Sequence, residues 1–153
     1  MAILPVALCP LLGEASLIDG QLNEDIWVLP PAIPFFVRPR VRWIPEAQTQ
    51  VFTSCDSTGF SIAFRCFEDA TDRLERAAGP PGPDKLFHDD LVGFRFLPEH
   101  ADPFMRPLHF ILTATGGLYQ ELEPGRFEPR EQFPCQVQVG SSDWSVEARL
   151  PIR

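Results

Sequence analysis

Proline is the residue that most restricts this chain. Seventeen prolines fall in 153 residues, one for every nine, about twice the usual share of roughly 5%. Each proline inside a helix removes a backbone hydrogen bond and clashes with the preceding turn, so an all-helical bundle is excluded. Short strands joined by long, stiffened connections remain, and the hydrophobic pattern agrees. On the strands predicted around residues 49–67, Val51, Thr53, Cys55, Phe60, Ile62, Phe64 and Cys66 fall on one face. Gln50, Ser54, Ser61 and Arg65 fall on the other, interrupted by Phe52 and Phe67. Period-two alternation of this kind marks antiparallel strands with one face on a core. If the turn is Asp56–Gly59, Cys55 pairs with Phe60 and Cys66 with Thr49.

The same reading gives a strand with Val92, Phe94 and Phe96 on one side. A second hairpin turns at Gly116-Gly117, both able to adopt positive φ. A strictly alternating strand starts at Cys135, and a last strand puts Trp144, Val146, Ala148 and Leu150 on one face. Only Thr71–Ala78 reads as a helix, capped by Thr71 and stopped by Gly79-Pro80. The expected fold is therefore all-β, an antiparallel β-sandwich of jelly-roll type with a short helix in one loop. Residues 1–16 read as an N-terminal strand or extension, and 17–153 as a single sandwich domain.

Composition limits function. With 13 basic against 21 acidic residues and a net charge of −8, the chain lacks the basic face that nucleic acid requires. No run approaches the ~18 apolar residues of a membrane span. The apolar N-terminus lacks the features of a signal peptide: no positive region precedes it and Pro5 interrupts it. Cys9, Cys55, Cys66 and Cys135 contain no C-x-x-C pair, which leaves a zinc ribbon or redox motif unsupported. In the hairpin register Cys55 and Cys66 lie too far apart for a disulfide, whose Cα atoms must come within ~7 Å. The cysteines read as free thiols. No nucleophile elbow, phosphate loop or metalloprotease motif is present, so no enzyme is expected.

Five segments in order resemble a known pattern: Leu17–Trp27, the hairpin Thr49–Asp72, His88–Pro98, Leu108–Gly117 and Asp143–Arg153. Together they resemble the family 9 carbohydrate-binding module and its DOMON-like relatives, from about Leu17 to the end. The resemblance implies a β-sandwich that binds the ends of plant polysaccharides or oligosaccharides. It also implies structural calcium, an accessory role beside a glycoside hydrolase or on a surface protein, and an extracellular or periplasmic setting. Carried over by position, the stacking aromatic falls on Phe87 or His88, with Asp90 beside it. The acidic ligand of the family falls on Gly93, and its Arg and Asn near Ile111 and Thr113, so those groups are lost. The pattern runs past Arg153 into closing strands, which leaves a fragment and a divergent, shorter sheet as open readings. Exposed sheet edges would then favour a homodimer.

Calcium needs six to eight oxygen ligands from loops, and the acids flanking one excursion could supply them. Glu68, Asp69 and Asp89 are the expected ligands, with Asp72, Asp84 and Asp90 nearby; a solvated set of turn-forming acids is the equal alternative. His88, His100 and His109 lack metal-ligand spacing, and His109 reads as a structural, hydrogen-bonded residue. Haem, held in DOMON-like relatives by Met and His, would leave only Met105 as a ligand and is not expected. Trp27 reads as a core anchor. The alternative to a sugar-binding module is a DOMON-like structural or interaction sandwich without sugar binding.

Overall fold

The computed structural model describes residues 9–37, 44–74, 83–97 and 106–151. His100 and Met105 lie outside them, as do residues 75–82 and the side chain of Asp84. Among the described residues, eight strands form two four-stranded antiparallel sheets. The first contains β1 (Thr49–Cys55), β2 (Gly59–Phe67), β7 (Cys135–Val139) and β8 (Asp143–Pro151), in the order β1-β2-β8-β7. The second runs β3 (Leu91–Phe96), β4 (Leu108–Thr113), β5 (Leu118–Glu123), β6 (Arg126–Pro129) in chain order. This is the expected sandwich. No helix among the described residues is long and apolar enough to cross a membrane.

The first hairpin has the anticipated register, with Cys55 opposite Phe60 and Thr49 opposite Cys66, and all four cysteines are free thiols. The inward face of β1 and β2 delivers Val51, Ile62, Phe64 and Cys66 to the core. Trp144, Val146, Ala148 and Leu150 join them from β8, and Phe110 and Leu112 from β4. Phe94 stacks on Phe110 with ring centroids 5.3 Å apart, and Phe60 meets Phe96 across the sheets at 5.5 Å. Full burial of each such aliphatic or aromatic side chain is worth about 1.5–3 kcal/mol.

The outer face of the first sheet is not the polar, wet surface that the alternation suggested. Ser54 and Ser61 are buried: Arg149 of β8 donates to Ser61 Oγ at 3.1 Å, and the N-terminal segment packs on Phe52 and Ala63 beside them. A 3-10 turn, Asp25–Val28, sets Trp27 edge-on against Phe52 at 6.2 Å, with Ala63 in the same cluster. That contact explains why Phe52 breaks the alternation. Trp27 is the anchor expected of it. Glu147 of β8 holds the segment down: its Oε1 accepts from Trp27 Nε1 at 2.6 Å, and its Oε2 accepts the backbone N–H of Gly20 at 2.7 Å and of Asp19 at 3.0 Å. Gly20 has φ +86°, and a Cβ there would lie 2.7 Å from the Val137 carbonyl carbon, so only glycine fits.

Three local expectations need correction. The helix at Thr71–Ala78 is, over its described part, one 3-10 turn at Thr71–Arg73. Ala70 precedes the turn, while Thr71 donates instead to the Gly140 carbonyl at 2.9 Å and caps nothing. Leu74 packs on the core just beyond it. In the second hairpin only Gly116 takes positive φ, at +88°. Gly117 leaves room for Tyr119, whose ring a Cβ would meet at 2.6 Å. Strand β6 was not foreseen: it is four residues long with Phe127 as its one buried position, too short for a periodic signal.

Candidate functional site

The outer face of the second sheet carries the candidate site. Side chains on a strand alternate between faces, so the pairing register lines up a row across all four strands. Arg95 of β3 faces His109 of β4, and Glu121 of β5 faces Phe127 of β6. His109 and Glu121 close the row with a 2.8 Å contact from Nδ1 to Oε2, which gives His109 the structural partner anticipated for it. The backbone N–H of Gly125, then His109, hold the Glu121 carboxyl below its ordinary range. Phe127 packs edge-on against His109 at 5.3 Å.

A third 3-10 turn, Pro83–His88, lies against this face and touches β6. It divides its neighbouring side chains between inside and outside. Leu86 is wholly buried on Ile111, Tyr119 and Phe127. Phe87 points away, 66% exposed, with its ring edge-on to Phe127 at 5.6 Å. His88 is exposed and Asp90 is half-buried. Phe87 therefore presents the free apolar ring on which the sugar-binding expectation depended. Beside Glu121, toward the far end of the sheet, a groove of about 400 Å3 is lined by Arg95, Arg106, Gln120, Glu121, Leu122 and Pro124. Arg130 Nε donates to the Gln120 side chain at 2.8 Å and fixes it. A ring, a histidine–carboxylate pair and a polar groove thus share one surface, joined by Phe127 and Glu121.

The positions that matched the family's missing ligands lie on this same face, Gly93 opposite Ile111 and Leu91 opposite Thr113. Ile111 is 2% exposed and packs beneath Leu86, and Thr113 is fully buried, so neither offers a contact surface.

Asp89 is buried just after the turn. Its Oδ2 accepts from Thr115 Oγ1 at 2.7 Å, Oδ1 finds no hydrogen-bond partner, and burial pushes the carboxyl above its ordinary range. Glu68 uses Oε1 to accept the Ala70 N–H at 3.0 Å. Among the described residues, no three His, Cys, Asp or Glu side chains gather closely enough to hold a metal ion. The expected calcium ligands Glu68, Asp69 and Asp89 therefore do not form a three-ligand set there. The unpartnered Asp89 oxygen is a single candidate ligand.

Sequence reasoning named Phe87 and His88 through the family pattern, and the structure places their turn against this face; sequence reasoning did not name Phe127, Glu121 and Arg95 as their companions. The one available signal was the alternation of His109, Ile111 and Thr113, which marks them as sharing a face without saying what covers it.

With the geometry known, comparison with solved structures identifies the architecture. The chain is similar to a family 9 carbohydrate-binding module from Caldicellulosiruptor kristjanssonii in complex with cellotriose, with a TM-score of 0.61 at 16% identity over 95% of this chain and 67% of that one. It is also similar to a family 9 module from the same organism in complex with glucose, with a TM-score of 0.55 at 16% identity over 91% of this chain and 65% of that one. The fold is that of a family 9 carbohydrate-binding module, of which this chain spans about two thirds of the length. No protein-family model and no curated protein matches the sequence.

Proposed function

We propose that this chain is a non-catalytic carbohydrate-binding module that takes the end of an oligosaccharide or plant polysaccharide on the outer face of its second sheet, as an accessory to a glycoside hydrolase or surface protein. The observation that carries the reading is the exposed Phe87 ring, braced by Phe127 next to the His109–Glu121 pair and the adjoining groove. Sugar C–H faces pack on a flat apolar ring, while hydroxyls need fixed donors and acceptors nearby. His88, Asp90 and Arg95 are the polar groups this surface offers, with Gln120 lining the adjoining groove. The neighbouring folds carry cellotriose and glucose, which supports a glucan-type ligand.

A second reading, a structural or interaction sandwich without sugar binding, draws support from Ile111, which is sealed beneath Leu86, and from Thr113, which is fully buried. Calorimetric titration with glucose, cellobiose and xylobiose separates the two. The module predicts saturable heat whose affinity weakens about 2- to 13-fold in Phe87→Ala, the loss of one aromatic contact of about 0.5–1.5 kcal/mol. An absence of heat from the folded wild-type chain refutes the proposal in favour of the second reading.

A further inference from the structure

We propose that Cys9 and Cys55 form a thiol pair that a small-molecule disulfide, such as oxidised glutathione, converts into an intramolecular disulfide clasping the N-terminal segment to the free edge of β1. The backbone brings the two residues together. Residues 10–12 run parallel to the end of β1, with Leu11 bridged to Cys55. Cys55 N–H donates to the Pro10 carbonyl at 2.9 Å, and Leu12 N–H donates to the Cys55 carbonyl at 2.7 Å. Two residues before Leu11 in this register, Cys9 stands opposite Thr53 and on the same side as Cys55. Cys55 Sγ itself leans toward the segment, donating to the Pro10 carbonyl at 3.6 Å.

The side chains follow. Burial first, and the neighbouring Cys55 thiol second, push the Cys9 thiol up to about 11. Cys9 is exposed and Cys55 partly so, which leaves the pair open to a small oxidant. The diagonal offset places the two Cα atoms roughly 7–8 Å apart, so the exposed segment at Cys9 shifts slightly toward β1 as the sulfurs close to about 2.05 Å. Cys66 and Cys135 offer no competing pair: Cys66 is buried opposite Thr49 and Trp144, and Cys135 lies opposite Ala148 on the far edge strand of the sheet.

The chemistry balances without any further reagent. One thiolate attacks the small disulfide, forming a mixed disulfide and expelling one thiolate. The second cysteine then attacks the protein-bound sulfur and expels the other. The two cysteine protons end on the two released thiols, the protein loses two electrons, and the small disulfide gains them. The product fixes residues 9–12 over an edge that two backbone hydrogen bonds now hold.

The test is exposure of the folded chain to oxidised glutathione at pH 8, followed by a thiol count in denaturant and a peptide map by mass spectrometry. The expected result is loss of two of the four thiols, a crosslink joining the Cys9 and Cys55 peptides within one chain, and slower amide exchange at Leu12. Cys9→Ser and Cys55→Ser should each lack that crosslink. Four thiols surviving in the folded wild-type chain would overturn the proposal. So would a crosslink between chains or one involving Cys66 or Cys135, or glutathione retained on Cys9 beside a free Cys55. The wild-type map decides the matter even if a serine variant fails to fold.

Discussion

Replacing Glu147 by Gln probes the contact that holds the N-terminal segment on the sandwich. Glu147 is fully buried and accepts three N–H donors, from Trp27, Gly20 and Asp19. Those donors favour the carboxylate, but desolvation by burial outweighs them, and the Gly20 N–H and Trp27 indole only partly offset it. Glu24, whose Oε2 is buried without a partner, adds repulsion. The net result lifts Glu147 from 4.5 to about 7. Because this folded value lies above the unfolded one, the native state binds the proton more tightly than the unfolded chain does. The contribution is fully present below about pH 4.5 and is lost as pH rises through about 7. At 1.36 kcal/mol per unit, the loss amounts to about 3 kcal/mol.

Gln cannot ionise, so the variant lacks this slope, though its amide NH2 faces a donor and carries a roughly constant cost of about 1–3 kcal/mol. The assay is urea unfolding of both proteins at a series of pH values from about 4.5 to 8.5, with m-values checked for constancy. Asp56, Asp89 and Glu121 titrate in both proteins and cancel in the difference. Wild-type stability minus variant stability should fall by about 3 kcal/mol across the range. A difference that stays flat, or grows with pH, would refute the reasoning and mean that the three donors keep the carboxylate ionised.

Two further outcomes follow from local geometry. Gly20→Ala should destabilise the chain by at least about 2 kcal/mol in the same unfolding assay, since it combines an unfavourable left-handed backbone with a direct clash; an unchanged midpoint would show that the Asp19–Gly20 turn is not as placed. Asp56 is held down to about 2, first by the hydroxyl and backbone N–H of Thr58 and then by Arg149. Its stabilising contribution is present above the ordinary carboxylate range and is lost as pH falls through about 2. Asp56→Asn should therefore be less stable than wild type at neutral pH, with the gap closing in acid; a gap that does not vary with pH would contradict the assignment.

The register of the first hairpin was legible because the Asp56–Gly59 turn and the alternating faces specify one pairing, and a slip of one residue would invert every side chain. Trp27 was legible as an anchor, but its partner Glu147 lies 120 residues away, and no local pattern links the two. Thr71–Ala78 misled because local propensity suggested a helix, where Thr71 instead bonds Gly140 across the fold. The site divides in the same way: Phe87 was named from the sequence, whereas its bracing by Phe127 depends on β6, whose pattern is too short to read.

Proline spacing and period-two alternation by themselves determined that the chain is an antiparallel sandwich, and which residues share a face, because both act through the local backbone. Tertiary structure alone decided what lies over each face: Trp27 over the first sheet, with its buried Glu147, and Leu86 over Ile111, with Phe87 turned outward. Coverage depends on contacts between segments distant in sequence, and the same alternating strand can face water or a second layer without a change in its own residues.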